Sequence, residues 1–428
     1  MFNQNGLSLD QAPPISVVLR FFLSGALFGL LAGILILLFS TKIFDAANIE
    51  AVIFTHTLTL GVMLSFMFAA LFQMLPVIAG VKLTAPVSKA NLVQYPLILG
   101  ILSLLWGFYS GKAALFTAAS LLLGGTILGI TWVMLRELLR LPHHSSSSRG
   151  MSAALVALAL LTILALYMTA TLSGFMQGAH YLQFKTAHFS FGLFGWVALL
   201  IISISFQVIE MFYVTPPYPT ILSRYLPNTL LGVLLAGTLF SLFSSAAWQM
   251  ATPLIALLLI GYAVVTLKRL TERKRPLTDA TVWFWRLGLG LLILSMLGAA
   301  ITRFATLPTV EILSYIGFAG FALSIVFAMF YKIVPFLTWF HLNSQGYFTA
   351  PMMHEVIHPK TAMKHLYIHI ATLTAFIASI AIPGLIYVAG GLTLLSFGWI
   401  LWQIVHAWKL YRHTQKTGEK FEMNLPNT

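Results

Sequence analysis

His56–Gly80, HTLTLGVMLSFMFAALFQMLPVIAG, decides how this chain is read. Its first residue is an imidazole, and no other side chain in the stretch is ionisable. Gln73, Pro76 and Gly80 close it. About 20 apolar residues in helical form span the hydrocarbon of a bilayer, so the stretch predicts a membrane-crossing helix that keeps a histidine in its first turn. Composition extends the reading to the whole chain. Of 428 residues 59% are hydrophobic and 8% charged, where a soluble domain carries roughly 25% charged. The mean hydropathy is +0.91. The apolar runs are helix-length and lack the short alternations of a membrane barrel.

There is no cysteine, which excludes disulfides and thiolate metal sites. The net charge of +13 needs no nucleic acid, because a basic excess in a membrane protein collects in cytoplasmic loops. The first apolar run begins near Ile15 and is too long for a signal-peptide core. Periodicity and turn residues predict twelve helices, at about 16–41, 51–80, 91–110, 113–137, 151–174, 184–214, 226–245, 248–268, 280–302, 310–340, 364–385 and 386–410. The second, sixth and tenth look longest.

Numbering the loops alternately puts Lys82, Arg136, Arg140, Lys268, Arg269, Arg412 and many neighbours on the side of both termini. The other side holds Lys42, Lys112, Lys185 and Arg303. That bias predicts an inner-membrane protein with both termini cytoplasmic. His143-His144-SSSS-Arg149 then reads as a flexible cytoplasmic linker, and Thr271–Pro276 as a second polar loop.

An internal repeat is visible. Laid over 315–335, the stretch 56–76 matches at Gly61/Gly320, Leu64/Leu323, Ser65/Ser324, Phe68/Phe327, Ala69/Ala328 and Pro76/Pro335. Setting Gly195 on Gly61 brings Phe206-Gln207 onto Phe72-Gln73. The chain therefore reads as one transmembrane domain of three four-helix blocks, about 16–137, 151–268 and 280–410. Internal repeats occur in transporters too.

His56 lies five residues before Gly61, and His188 lies seven before Gly195. At about 1.5 Å per residue the two rings sit within roughly 3 Å of the same depth. Ionisable groups at such depth are costly and mark function by default. Neutral imidazole is also the usual ligand of haem iron. The competing reading for each is a ring satisfied by a neighbouring carbonyl. His180, nearer the loop, is a further candidate ligand. Tyr315 stands at the His56 position in the third block, and His369 and His406 read as interfacial.

These residues resemble subunit I of the haem–copper oxidases. His56–Gly80, with its late Pro76 and Gly80, is similar to that family's second helix, whose histidine binds the low-spin haem, and His56 matches it. His188 lies on the helix that gives the family its first copper histidine, but without the glutamate or valine–tyrosine that follow there. No histidine pair occurs in 226–245, and no His-x-His in 310–340. The resemblance thus implies an all-α, twelve-helix fold without the usual copper and high-spin haem centre. Stand-alone oxidase-like proteins, including the NnrS-type haem and copper proteins linked to nitric oxide, are similar in architecture.

The expectation is a b-type haem near the outer face, with His56 as axial ligand and His188 as its partner, on the same haem or on a copper. Arg303 or Lys185 would pair with haem propionates. The role implied is electron transfer or handling of nitric oxide or oxygen. Implied partners are membrane lipid and a cytochrome or other electron-transfer subunit. A haem-free transporter is the rival. A second rival rests on His354-Glu355-Val356-Ile357-His358, a literal HExxH that on a helix would hold zinc. Pro351 and Pro359 bracket it and stop the helix such proteases continue. Gln73, Glu210 and Lys332 fall near the inner boundary, where Glu210 and Lys332 would guard a proton path or hold a headgroup.

Overall fold

The computed structural model describes residues 11–244, 246–275 and 278–420. These are helical, with one isolated bridge between Tyr347 and Lys420. Among the described residues, ten helices are long and apolar enough to cross a membrane. In chain order they include α1 (Ile15–Phe39), α2 (Ile49–Ala79), α3 (Pro86–Ser110), α4 (Ala113–Leu139), α5 (Ser146–Leu172) and α6 (Tyr181–Tyr213). Then come α7 (Thr220–Ser241), α8 (Ala247–Thr271), α9 (Ala280–Ile301), α10 (Pro308–Ser344), α11 (Pro359–Ser379) and α12 (Leu385–Thr417). α7 and α11 are the two that fall short of that hydropathy, at 22 and 21 residues. Arg224 and Asn228 dilute the first, and Lys364, His365 and His369 the second. The protein is therefore an all-α, multi-pass membrane protein.

Local chemistry sets the ends. α2 stops at Gly80, which turns left-handed at φ 69°. Its N–H donates to the Pro76 carbonyl and that of Val81 to Leu75, so the last carbonyls are satisfied before the chain leaves. Ser145 caps α5 by accepting from the Ser148 N–H. The serine run after His144 is thus the first turn of a helix, with Ser147 and Ser148 buried, and not the flexible linker expected. His143 and His144 are exposed as expected. Pro276 lies outside the described residues. α7 begins at Thr220, six residues earlier than expected, and carries the helix through Arg224. α12 runs seven residues past the expected end, carried by good helix formers after the apolar segment.

Nine helices form a closed belt: α3, α4, α5, α7, α8, α9, α11, α12 and α1 each pack on the next, and α1 returns to α3. α2, α6 and α10 lie inside it. Their most apolar windows are 89%, 83% and 61% buried, while no other window exceeds 56%. The expectation that these three are the longest does not hold, since α12 has 33 residues against 31 for α2; burial is what sets them apart. A cavity of about 50 Å³ sits where they converge, lined by Met67, Ala70, Ile204, Trp285 and Met329 among others.

Candidate functional site

His56 and His188 meet. Each lies seven residues after the first residue of its helix, α2 or α6. Their ring centroids are 6.3 Å apart and their planes differ by 19°. His56 Nδ1 lies 2.8 Å from the Val52 carbonyl one turn back. His188 Nδ1 lies 3.3 Å from the Leu161 carbonyl of α5. A carbonyl only accepts, so each Nδ1 carries the proton and each Nε2 keeps its lone pair. Neither Nε2 has a hydrogen-bond partner among the described residues. Both rings are half-buried. The first turns of α2 pack on α3, and those of α6 on α5 and α7, so the rings face each other from separate walls. Phe108 of α3 stands 5.0 Å from His56.

The two helices share an uncommon device. A π-helical segment follows each histidine, at Thr57–Leu64 in α2 and Phe191–Ala198 in α6. Setting Gly61 on Gly195 superposes these segments residue for residue. Such segments are rare and concentrate at functional positions. Close packing fixes both. A Cβ at Gly61 would lie 2.6 Å from Phe28, and one at Gly195 would lie 2.9 Å from the Ala157 Cβ. The matching stretch of α10 is plain α-helix. There the Tyr315 hydroxyl donates to Glu311.

The remaining candidates divide. His180 is exposed at the head of α6, with its ring against Phe184. No group of three or more His, Cys, Asp or Glu converges among the described residues. Lys185 is exposed. Arg303, in the α9–α10 turn at the same end of the bundle, has a buried Nε without a partner among the described residues. It acts electrostatically on Tyr315, whose ring stands 5.8 Å from that of Phe189, the neighbour of His188.

A second pair was missed by sequence reasoning. His369 is 3% exposed and His365 fully buried, so neither is interfacial. His369 Nε2 pairs with Ser324 Oγ at 2.9 Å, and His365 Nε2 with Ser396 Oγ at 2.8 Å. Phe327 lies 4.6 Å from the His365 ring and 5.2 Å from that of His369. With both Nε2 atoms committed to serines and Phe327 packed on both rings, this pair is not arranged to share a metal. The available signal was the four-residue spacing, which sets both rings on one helical face. His406 is exposed.

The HExxH stretch is not a zinc helix. Only Met353–Val356 is helical, a single turn. Glu355 accepts from the Met352 N–H, and His358 Nδ1 accepts from Lys360 N–H as the cap of α11. Both imidazoles are exposed.

At the far end of the bundle Lys332 pairs with Asp279 at 2.6 Å. Glu210 accepts from the Tyr218 N–H at 2.9 Å. The Tyr218 hydroxyl reaches Thr266, and the Tyr262 hydroxyl reaches Ser205, which tie α6 to α8. Burial pushes the Tyr218 hydroxyl well above its ordinary value, so it stays a neutral donor.

No protein-family model matches this chain, and no curated protein matches it.

Proposed function

We propose that this is a twelve-span, oxidase-subunit-I-like protein of a bacterial-type inner membrane, with both termini cytoplasmic, that holds one b-type haem between His56 and His188 for electron transfer. One observation carries the reading: two near-parallel imidazoles at 6.3 Å, each with Nδ1 on a carbonyl. With metal–imidazole bonds of about 2.0–2.1 Å, ring centres on either side of one metal lie roughly 6 Å apart. The spacing, the near-parallel planes and the free Nε2 lone pairs all fit axial ligation of one iron. The carbonyl bonds hold the rings in the required tautomer and make them better ligands. His188 is the more weakly held, at 3.3 Å against 2.8 Å.

A haem bound there supplies a one-electron couple whose potential follows its axial ligands and burial. With both imidazoles taken up by its iron, a haem held there would serve electron transfer rather than binding of nitric oxide or oxygen. Half-burial near the outer rim suits exchange with a cytochrome or other electron-transfer subunit. Arg303 is the cation placed to neutralise a propionate. The orientation follows from the basic residues, which gather at the end opposite the histidines.

The test is the purified full chain from haem-replete cells. A Soret band and one haem b per chain by pyridine haemochrome are expected, both lost in His56→Ala and in His188→Ala. Copper at one per chain without porphyrin assigns the pair to a metal ion instead. A colourless, metal-free preparation removes the haem reading and favours a transporter.

A further inference from the structure

The last helix extends well beyond a bilayer. α12 has 33 residues, and at 1.5 Å each it is about 50 Å long, whereas hydrocarbon is about 30 Å thick. Counted from Leu385, roughly its first 20 residues fill the hydrocarbon, so the helix enters the headgroup layer near Val405. The sequence changes there. Trp408, Lys409, Arg412, His413 and Lys416 follow at helical spacing and line a surface groove of about 320 Å³. All five are exposed. The Arg412 guanidinium stands 5.8 Å over the Trp408 ring. None of the three cations has a carboxylate partner among the described residues.

The opposite face of the same segment is braced. The Tyr411 hydroxyl accepts from Gln345, and Gln415 donates to Gln345 and to Tyr411. Tyr347 donates to the Gln415 carbonyl. The basic face is therefore presented on a helix held to the end of α10, with little ordering left to do on binding.

We propose that this face binds the headgroup phosphate of an anionic phospholipid. Position selects the lipid. The groove begins where the hydrocarbon ends, with Trp408 at the depth where indole rings favour the interface. Juxtamembrane basic clusters beside a spanning helix are attracted to anionic lipid, each cation contributing. The helix C-terminus favours cations in its last turns, but that explains neither three unpaired charges nor the aromatic platform. The site is independent of haem.

Native mass spectrometry of the full chain, titrated with phosphatidylglycerol or with phosphatidylcholine of equal acyl length, tests it. Wild type is expected to bind phosphatidylglycerol at least about tenfold more tightly. K409Q/R412Q/K416Q should weaken that binding about a hundredfold, and R412Q alone roughly fivefold. K82Q/R136Q/R224Q, which removes three exposed cations of the same end, should change it less than about threefold. Equal binding of both lipids, or an equal loss in the control variant, overturns the site. Displacement of the lipid by equimolar inorganic phosphate also overturns it, by assigning the groove to a soluble anion.

Discussion

Asp279 does three things with one carboxylate. Its Oδ1 caps α9 by accepting from the Thr281 and Val282 N–H groups and the Thr281 hydroxyl, and its Oδ2 takes Lys332. Partial burial pushes its pKa up. The Lys332 charge and the donated hydrogen bonds outweigh that and hold the group below the ordinary carboxylate value. A depressed carboxylate stabilises the fold above its unfolded value of about 3.9, and that contribution fades as pH falls through the folded value. Asp279→Ala should cost about 1–2 kcal/mol at pH 7, mostly the cap, because the ion pair is partly exposed. Melting in detergent at pH 7 and at pH 3 should show a smaller difference between wild type and variant at pH 3. An unchanged difference removes the electrostatic account.

The buried histidines show how much of the site the sequence carried. His56 and His188 were legible because depth along a helix follows from residue count alone. Their facing geometry was not, since it depends on π segments that no apolar pattern reveals. His369 was misread, and its pairing with His365 missed, for a related reason. Their partners Ser396 and Ser324 come from α12 and α10, 31 and 45 residues away, and an imidazole near a helix start looks interfacial until a hydroxyl is found for it. Ser324→Ala strands His369 Nε2 inside the bundle and should cost about 1–3 kcal/mol. The exposed Ser344→Ala should stay within about 0.5 kcal/mol. Equal melting of the two variants would show that the Ser324 pairing contributes nothing.

At the scale of elements, the π segments are the least replaceable parts of α2 and α6. A π-helical turn accommodates one residue more than an α-helical turn. The turns on either side keep the register of a plain helix one residue shorter, so the segment has no slack for a further residue inserted after Leu58. That insertion should rotate the first turns of α2 by about 100° relative to the rest, from 3.6 residues per turn. His56 leaves His188 while the packed lower half of α2 keeps its register. The expected result is a monodisperse protein with unchanged helical circular dichroism and no Soret band. A variant that keeps its haem spectrum shows that the segment does not orient the ligand. Gly61→Ala tests the same stretch by crowding: its Cβ meets the Phe28 ring at 2.6 Å, and overpacking of this kind costs typically about 1–3 kcal/mol.

The whole molecule turns on two helices, α7 and α11. The belt of nine closes only because both stand in it, α7 between α5 and α8, and α11 between α9 and α12. Their length suits a crossing, while their polar residues keep them below the hydropathy of the other ten. Burial accounts for the difference in α11, whose histidines turn inward to serines, so its average hydropathy understates its lipid-facing surface. In α7 the polar Arg224 and Asn228 are exposed. If both cross, every even-numbered helix runs from the histidine end to the basic end. The chain contains no cysteine, so single cysteines report sidedness without background. Pro217→Cys and Ser244→Cys, at exposed positions flanking α7, should be labelled from opposite sides of sealed vesicles, and so should His354→Cys and Gly384→Cys around α11. Pro217, His354 and Lys416→Cys should share the cytoplasmic side, and Ser244, Gly384 and Asp45→Cys the outer one. Labelling of both members of a flanking pair from one side makes that helix re-entrant or peripheral. For α7 that outcome would also leave an even number of crossings between the His56–His188 pair and the basic face of α12, which puts both on one side, and the outer-face assignment of the histidine pair would have to be redrawn.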